Sequence, residues 1–218
     1  MAALLFDTET TGTADAQIIE AAWLELSDPV SLTITQEFVQ RYQPDEPITL
    51  GALATHHIYD EELEGCPAHT EFALPPTTAY IIGHNVDYDW ARAGYPELKR
   101  ICTLALARRL LPNLDSYSQS ALIYYIDRQH ARERLKNAHS ALEDVKNCFS
   151  LLQYLLAKIG TIRTWEQLWQ FSEQARIPTV MTFGKHKGMA IADVPQDYKN
   201  WLLRQPDLDP YLVAALKG

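Results

Sequence analysis

The sequence predicts an α/β fold: a mixed β-sheet flanked by helices, with a small α-rich appendage at the C-terminus. Three observations carry this reading. Apolar, β-branched runs open the chain as a meander; short strand-like runs after residue 77 each feed a helix; and one long amphipathic stripe begins at Ser140. At 218 residues and 47% hydrophobic content, the chain is long enough to bury one main core and carry a small addition.

Ala3–Phe6 is continuously apolar and ends in Asp7, the pattern of a buried central strand with a functional residue at its end. Ile18–Leu26 and Leu32–Val39 read as two further strands, joined by a hairpin turn at the breaker Ser27-Asp28-Pro29. Tyr80–Gly83 is a fourth strand leading through His84-Asn85 into a helix that contains Asp89-Trp90-Ala91. Ile101–Thr103 predicts a short strand, Leu104–Leu111 a helix stopped by Pro112, and Ser118–Arg128 a helix opened by a serine N-cap. From Ser140 to about Lys158, Leu142, Val145, Phe149, Leu152 and Leu156 recur at helical spacing, and Asp144 sits beside that stripe between Ala141 and Cys148. Thr164 with Gln167 forms a capping box for a helix through about Arg176, closed by Ile177-Pro178. The expected organisation is a main domain over residues 1–160, a connecting helix over 161–178 and a small module over 179–218. In that module, Asp197–Leu203 and the segment after Pro210 read as helices. Phe183-Gly184-Lys185-His186-Lys187-Gly188 is a turn with two lysines, serving either as a contact for nucleic-acid backbone or as an exposed turn on a packing appendage.

The apolar run Ala2–Phe6 is too short for a membrane span and has no basic flank, so no membrane partner and a cytoplasmic location are expected. Cys66, Cys102 and Cys148 are odd in number and without metal-ligand spacing, which fits reduced thiols. The formal charge of −9 argues against a nucleic-acid partner until its distribution is considered. Residues 1–91 hold one basic residue against sixteen acidic ones, whereas residues 92–136 hold nine basic against four acidic. That basic strip reads equally as a track for a polyanion or as a pair of solvated helix faces.

The residues with chemical capacity fall in three separated clusters. In Asp7-Thr8-Glu9-Thr10-Thr11-Gly12, the two carboxylates lie two positions apart, so on an extended segment they project to the same face and can share a cation. Hard divalent ions prefer several carboxylate and water oxygens, so more ligands are required. Asp89 and Asp144, each near an element boundary, are the suppliers the sequence offers. Read singly, these residues are as easily a turn, a solvated helix carboxylate or, for His139, a helix-terminal residue.

Together, Asp7-Thr8-Glu9-Thr10-Thr11-Gly12, His84-Asn85-x-x-Tyr88-Asp89 and His139-x-Ala141-x-x-Asp144 stand in the order of three family motifs. The chain therefore resembles the DnaQ-like exonucleases that carry a histidine in the third motif, on a ribonuclease H-like fold. Ala52–Ile58 is similar to the family's loop before the second motif, with His57 where a glycine is usual, and Thr13 stands where a larger apolar residue is common. The resemblance implies 3′→5′ hydrolysis of terminal phosphodiesters in DNA, releasing nucleoside 5′-monophosphates, with DNA repair or processing as the setting. Two Mg²⁺ are implied, with Mn²⁺ able to substitute. Asp7 would bridge them, Glu9 and Asp144 would complete the water side, and Asp89 would support the ion nearer the leaving group. His139 would be the general base, a role suited to a side chain that as a class titrates near neutral pH. Thr10, Thr11, Gly12, His56 and Asn85 are candidates for gripping the 3′-terminal nucleotide of single-stranded or duplex DNA, Asn85 serving alternatively to cap the helix that bears Asp89. RNA 3′ ends are the alternative substrate, and a non-catalytic end-binding module is a third reading.

Overall fold

The structure, a computed structural model, describes residues 2–137 and 139–218. Its strands are β1 (Ala2–Thr10), β2 (Ile18–Leu26), β3 (Ile34–Arg41), β4 (Thr78–Gly83) and β5 (Lys99–Cys102). They form one sheet of order β3-β2-β1-β4-β5. β1 is antiparallel to β2 and β2 to β3, whereas β1 and β4, and β4 and β5, run parallel. The sheet is mixed, as expected, and β1 is its centre. β1 continues past Phe6 because β2 pairs along almost its whole length, from Ala3↔Leu26 to Thr10↔Ile18, and so holds the polar end in the ladder. β3 begins two residues later than the sequence suggests, because Asp28 accepts the backbone N–H groups of Val30 and Ser31 and extends the turn.

Strand alternation divides the sheet into two faces. Leu4, Phe6, Ala21 and Trp23 lie on one, packed with Tyr42 and Phe72, and Trp23 stacks on Phe38 with ring centroids 3.7 Å apart. Ala3, Leu5, Asp7 and Glu9 share the other face with their register partners Leu26, Leu24, Ala22 and Glu20.

The α-helices are α1 (Leu50–His56), α2 (Asp87–Arg92), α3 (Thr103–Leu110), α4 (Gln119–Ile126), α5 (Ala131–Arg134), α6 (Ala141–Ile159), α7 (Trp165–Arg176), α8 (Gln196–Leu202) and α9 (Pro210–Lys217). Ser118 caps α4 by accepting from the Ala121 amide at 3.3 Å. The Thr164 and Gln167 side chains make the reciprocal bonds of a capping box at α7. α1 occupies part of the segment read as a loop. Its composition, Leu-Gly-Ala-Leu-Ala-Thr-His, has no apolar periodicity to announce it. His57 ends α1 at φ 59, in the left-handed region where a glycine would sit without strain.

α6 packs on β1 and β2, and of the expected stripe Val145, Leu152 and Leu156 are buried, but the buried face extends to one side of it. Ala141, Val145, Cys148, Leu151, Leu152 and Leu155 are buried, while Leu142 and Phe149 are only half-buried. Asp144 thus lies on the packed face itself, with small Ala141 and Cys148 one turn to either side. A larger side chain at either position would meet the sheet where the carboxylate must approach it. Among the described residues, no helix is long and apolar enough to cross a membrane, and all three cysteines are free thiols.

The described residues form two compact units, one ending at Ser172 and the other Glu173–Gly218. The division falls within α7. Buried Ser172 belongs to the first unit, where its Oγ accepts the Cys102 amide at 2.9 Å. The second unit has its own core of Met181, Ile191, Val194, Leu202, Leu212 and Leu216.

Candidate active site

Asp7 and Glu9 reach the α6 face of the sheet because they are two apart on β1, and Asp144 meets them from the first turn of α6. One carboxylate oxygen from each of the three lies within 4.8 Å of the others. Burial is the largest cause of an upward shift in all three carboxyls, and mutual repulsion adds to it at Asp7 and Glu9. Asp7 is raised well above the carboxylate range by burial and then by Asp89, Asp144, Glu9 and Glu20. Glu9 is pushed to about 9 by burial and then by Asp144, Glu20 and Asp89. Asp144 is raised by burial against the pull of the His139 backbone N–H, which donates to its Oδ2 at 3.0 Å.

Asp89, from α2, stands beside this triad with one oxygen committed elsewhere. Its Oδ1 accepts the Thr8 amide at 3.0 Å and the Thr8 hydroxyl at 2.7 Å, which ties α2 to β1. Burial lifts its carboxyl to about 7, with the two Thr8 bonds opposing. His139 is exposed at the start of α6 with φ 71, and its backbone contact with Asp144 places it at the rim of the carboxylates.

A cleft of about 520 Å³ adjoins the carboxylates, lined among others by Glu9, Thr10, Gly12, Thr13, His56 and Tyr88. Three of the five residues expected to grip substrate are therefore on its wall. His56 accepts the Ile58 amide on Nδ1, which leaves the proton on Nε2, and that buried atom has no hydrogen-bond partner. Burial lowers the His56 pKa, although the nearby Thr10 carbonyl favours the charged ring. Gly12 packs closely on Thr49, where a Cβ would stand 3.1 Å from Cγ2 and would push that side chain aside by a few tenths of an ångström. Thr11 is engaged internally: its Oγ1 accepts the Gln17 amide, its N–H donates to Gln17 O, and its carbonyl accepts the Thr49 amide. Asn85 is exposed at φ 69 and does not cap α2, whose N-cap Val86 makes no side-chain bond.

Two residues of this site were given no role from the sequence, Tyr88 although it is part of the second motif. Tyr88 donates its hydroxyl to Gly12 O at 2.9 Å and lies 2.7 Å from Thr10 Oγ1, so it fixes the cleft wall. Its fixed place one residue before Asp89 was the available signal. Glu20, buried opposite Glu9 on β2, is the other. Its Oε1 accepts the Ala141 amide at 3.0 Å and the Ser140 hydroxyl at 3.4 Å, and its Oε2 pairs with Arg41 Nε at 3.0 Å. Ser140 makes no capping bond of its own, so a carboxylate from the sheet caps α6, favourably placed at the positive end of the helix. The cap holds the turn that carries Asp144. An acidic residue inside the apolar run Ile18–Leu26 was the signal in the sequence. Glu20→Ala is expected to cut turnover about tenfold or more by loosening Asp144, and Glu20→Gln, which keeps an acceptor, to recover most of it. Steady-state kinetics of the two variants checks this; equal losses would mean that the charge, not the cap, matters.

A sequence model of the family described as Exonuclease (RNase_T) matches residues 4–152. Exodeoxyribonuclease 10 of Escherichia coli strain K12 is 30% identical over 221 residues, covering 98% of this chain and 96% of that protein. A solved Exonuclease X in complex with 5′ overhanging duplex DNA matches with a TM-score of 0.60 at 27% identity, over 78% of this chain and 99% of the other. E. coli Exonuclease I in complex with a dA16 oligonucleotide shares the fold, with a TM-score of 0.56 at 19% identity over 80% of this chain and 44% of that one. The sheet and its flanking helices are thus ribonuclease H-like.

The family implies divalent metal ions, and the residues present fit them. Three carboxylates, Glu9 buried and Asp7 and Asp144 half-buried, converge without a basic side chain ion-paired to any of them among the described residues, a hard-oxygen donor set whose repulsion a divalent cation would relieve. From the matched motifs, the acidic centre and these relatives together, the chain belongs to the DnaQ-like exonuclease family and is a metal-dependent exonuclease.

Proposed function

We propose that this chain is a 3′→5′ exodeoxyribonuclease that removes nucleoside 5′-monophosphates from DNA ends, acting in DNA repair or processing in the cytoplasm. The observation that carries the reading is the convergence of Asp7, Glu9 and Asp144 at the centre of the sheet, beside a cleft wide enough for a nucleotide. Asp7, Glu9, Asp144 and Asp89 would hold two Mg²⁺, or Mn²⁺ in their place. When bound, such ions lower the pKa of a water and offset charge on the attacking and leaving oxygens of an in-line displacement. His139, at the rim, takes the proton from the attacking water. The walls formed by Thr10, Gly12 and His56 receive the terminal nucleotide, and exposed Asn85 is placed to join them. Thr11 contributes by bracing the turn.

DNA as the substrate is supported by the relatives named exodeoxyribonuclease and Exonuclease X, and by part of the basic strip. Lys99, Arg100, Arg134 and Lys136 are spent on Glu166, Asp87, Ser150 with Asp127, and Glu133. Arg128 and Arg132 remain exposed and, with Tyr124 and Tyr125, line a separate cleft on α4 and α5. α4 begins at the catalytic centre, since Gln119 Nε2 donates to both Asp144 O and Asp144 Oδ1. A strand leaving the carboxylates along α4 would meet stacking rings and guanidinium groups. Matched DNA and RNA oligonucleotides carrying 3′ or 5′ labels, digested with Mg²⁺ in competition, test the proposal. Immediate release of the 3′ label and a shortening ladder of 5′-labelled DNA are expected. Release of the 5′ label first, or preference for RNA, would overturn it.

A further inference from the structure

The catalytic chemistry leaves Glu173–Gly218 without a role, and the side chains on its surface are unlike those of a passive appendage. Its own charge is positive, with six basic residues against five acidic, while the remaining 172 residues hold thirteen basic against twenty-three acidic. Val180 and Ala190 pair as an antiparallel bridge, and the turn between them presents Lys185, His186 and Lys187. That turn is built to one shape. Gly184 and Gly188 both have φ in the left-handed region, and the Gly188 amide donates to Met181 O at 2.8 Å. Gly184 has its φ at 73, where a side chain is strained, and a Cβ there would stand 2.6 Å from the Tyr198 hydroxyl, so glycine lets the turn sit against α8 without moving that ring.

This contact sets the lysines beside a tier of rings. His186 meets Tyr198 edge to face with centroids 4.6 Å apart, and Tyr198 lies 5.3 Å from Trp201 at an interplanar angle of 34°. Trp201 is 51% exposed and Phe183 45% exposed, although the unit has a closed apolar core in which neither takes part. Among the described residues, the side chains of Lys185 and Lys187 make no ion pair or hydrogen bond with the protein. Large exposed rings bordered by uncommitted ammonium groups match a ligand that is flat and apolar on its bases and anionic along its backbone.

We infer that the C-terminal unit is a second nucleic-acid site that holds unpaired DNA, with Trp201 and Phe183 stacking on bases and Lys185 and Lys187 neutralising phosphates. Single-stranded DNA is favoured over duplex because a duplex presents no free base face to Trp201. Carried on the same chain as the exonuclease, the unit raises the local concentration of strand available to it.

The test is equilibrium binding of a fluorescent oligothymidylate to the full chain carrying Asp7→Asn, with chelator present, so that cleavage plays no part. Binding is thereby separated from the exonuclease reading, which stands or falls on digestion by the wild-type chain. Lys185→Ala with Lys187→Ala should weaken binding and lower the salt slope by about 1.4, as expected for two phosphate contacts to a single strand. Trp201→Ala should weaken binding about tenfold, and Trp201→Phe should recover most of that loss. Far-UV circular dichroism confirms that each variant is folded. Unchanged affinity and salt slope in folded variants would overturn the inference. So would a change in sedimentation behaviour without a change in DNA affinity, which would make the surface a self-association site.

Discussion

Asp7→Asn is expected to reduce strand cleavage by a factor of about 1,000 or more while raising the melting temperature of the chelator-treated protein by several degrees. The two effects have one cause. Two charges 4.8 Å apart cost about 3 kcal/mol at an effective dielectric near 20, before protonation relieves part of it. Asp7 is the member that Asp89, Asp144, Glu9 and Glu20 all oppose, so neutralising it removes several repulsive pairs at once. The same residue is central to the donor set, so activity is lost as stability rises. The pH dependence has a definite sign. Burial and repulsion put Glu9 at about 9 and burial puts Asp89 at about 7, against about 4 for carboxyls of the unfolded chain. Between these limits the folded state binds more protons than the unfolded one, so stability of the metal-free protein falls as pH rises from about 4 toward about 9. Differential scanning calorimetry across that range should show the decline, and a shallower one in Asp7→Asn. A rise with pH would contradict the clustering of carboxylates.

His139→Ala is expected to lower kcat by a factor of about 100 or more, with affinity for a 3′-ended oligonucleotide within about threefold of wild type. The separation follows from which part of His139 does what. Its backbone N–H holds Asp144, and that bond survives removal of the ring. The ring itself is exposed, so its loss leaves no cavity and no unpaired buried group. Single-turnover rates beside direct binding measurements separate the two quantities. Equal loss of affinity and rate would make the ring a binding or structural element.

Much of the fold was legible because it is written in local pattern. β2 was read with its observed bounds from a run rich in apolar and β-branched residues, and the caps at Ser118 and Thr164 announced α4 and α7. The pairing of Asp7 with Glu9 followed from strand period alone. What was not legible depends on distant contacts. The face that α6 buries is chosen by the sheet beneath it, so Leu142 and Phe149 looked as much a part of the buried stripe as Val145, Leu152 and Leu156, while buried Ala141, Cys148, Leu151 and Leu155 were passed over. Glu20 caps α6 across 121 positions of sequence, and no local rule pairs a strand carboxylate with a remote helix terminus. Tyr88 acts across 76 positions on Gly12, and Thr11 spends its groups on Gln17 and Thr49, so which threonine faces the cleft was settled only by tertiary structure.

The central claim is that Asp7, Glu9 and Asp144, supported by Asp89, form a divalent-metal centre. Titration of the full chain with Mn²⁺, with the free ion read by its electron paramagnetic resonance signal, tests this directly. The wild-type chain should take up about two ions, and Asp7→Asn should lose at least one of them. Binding of the same number of ions at the same affinity by both proteins would place the metal elsewhere and contradict the account.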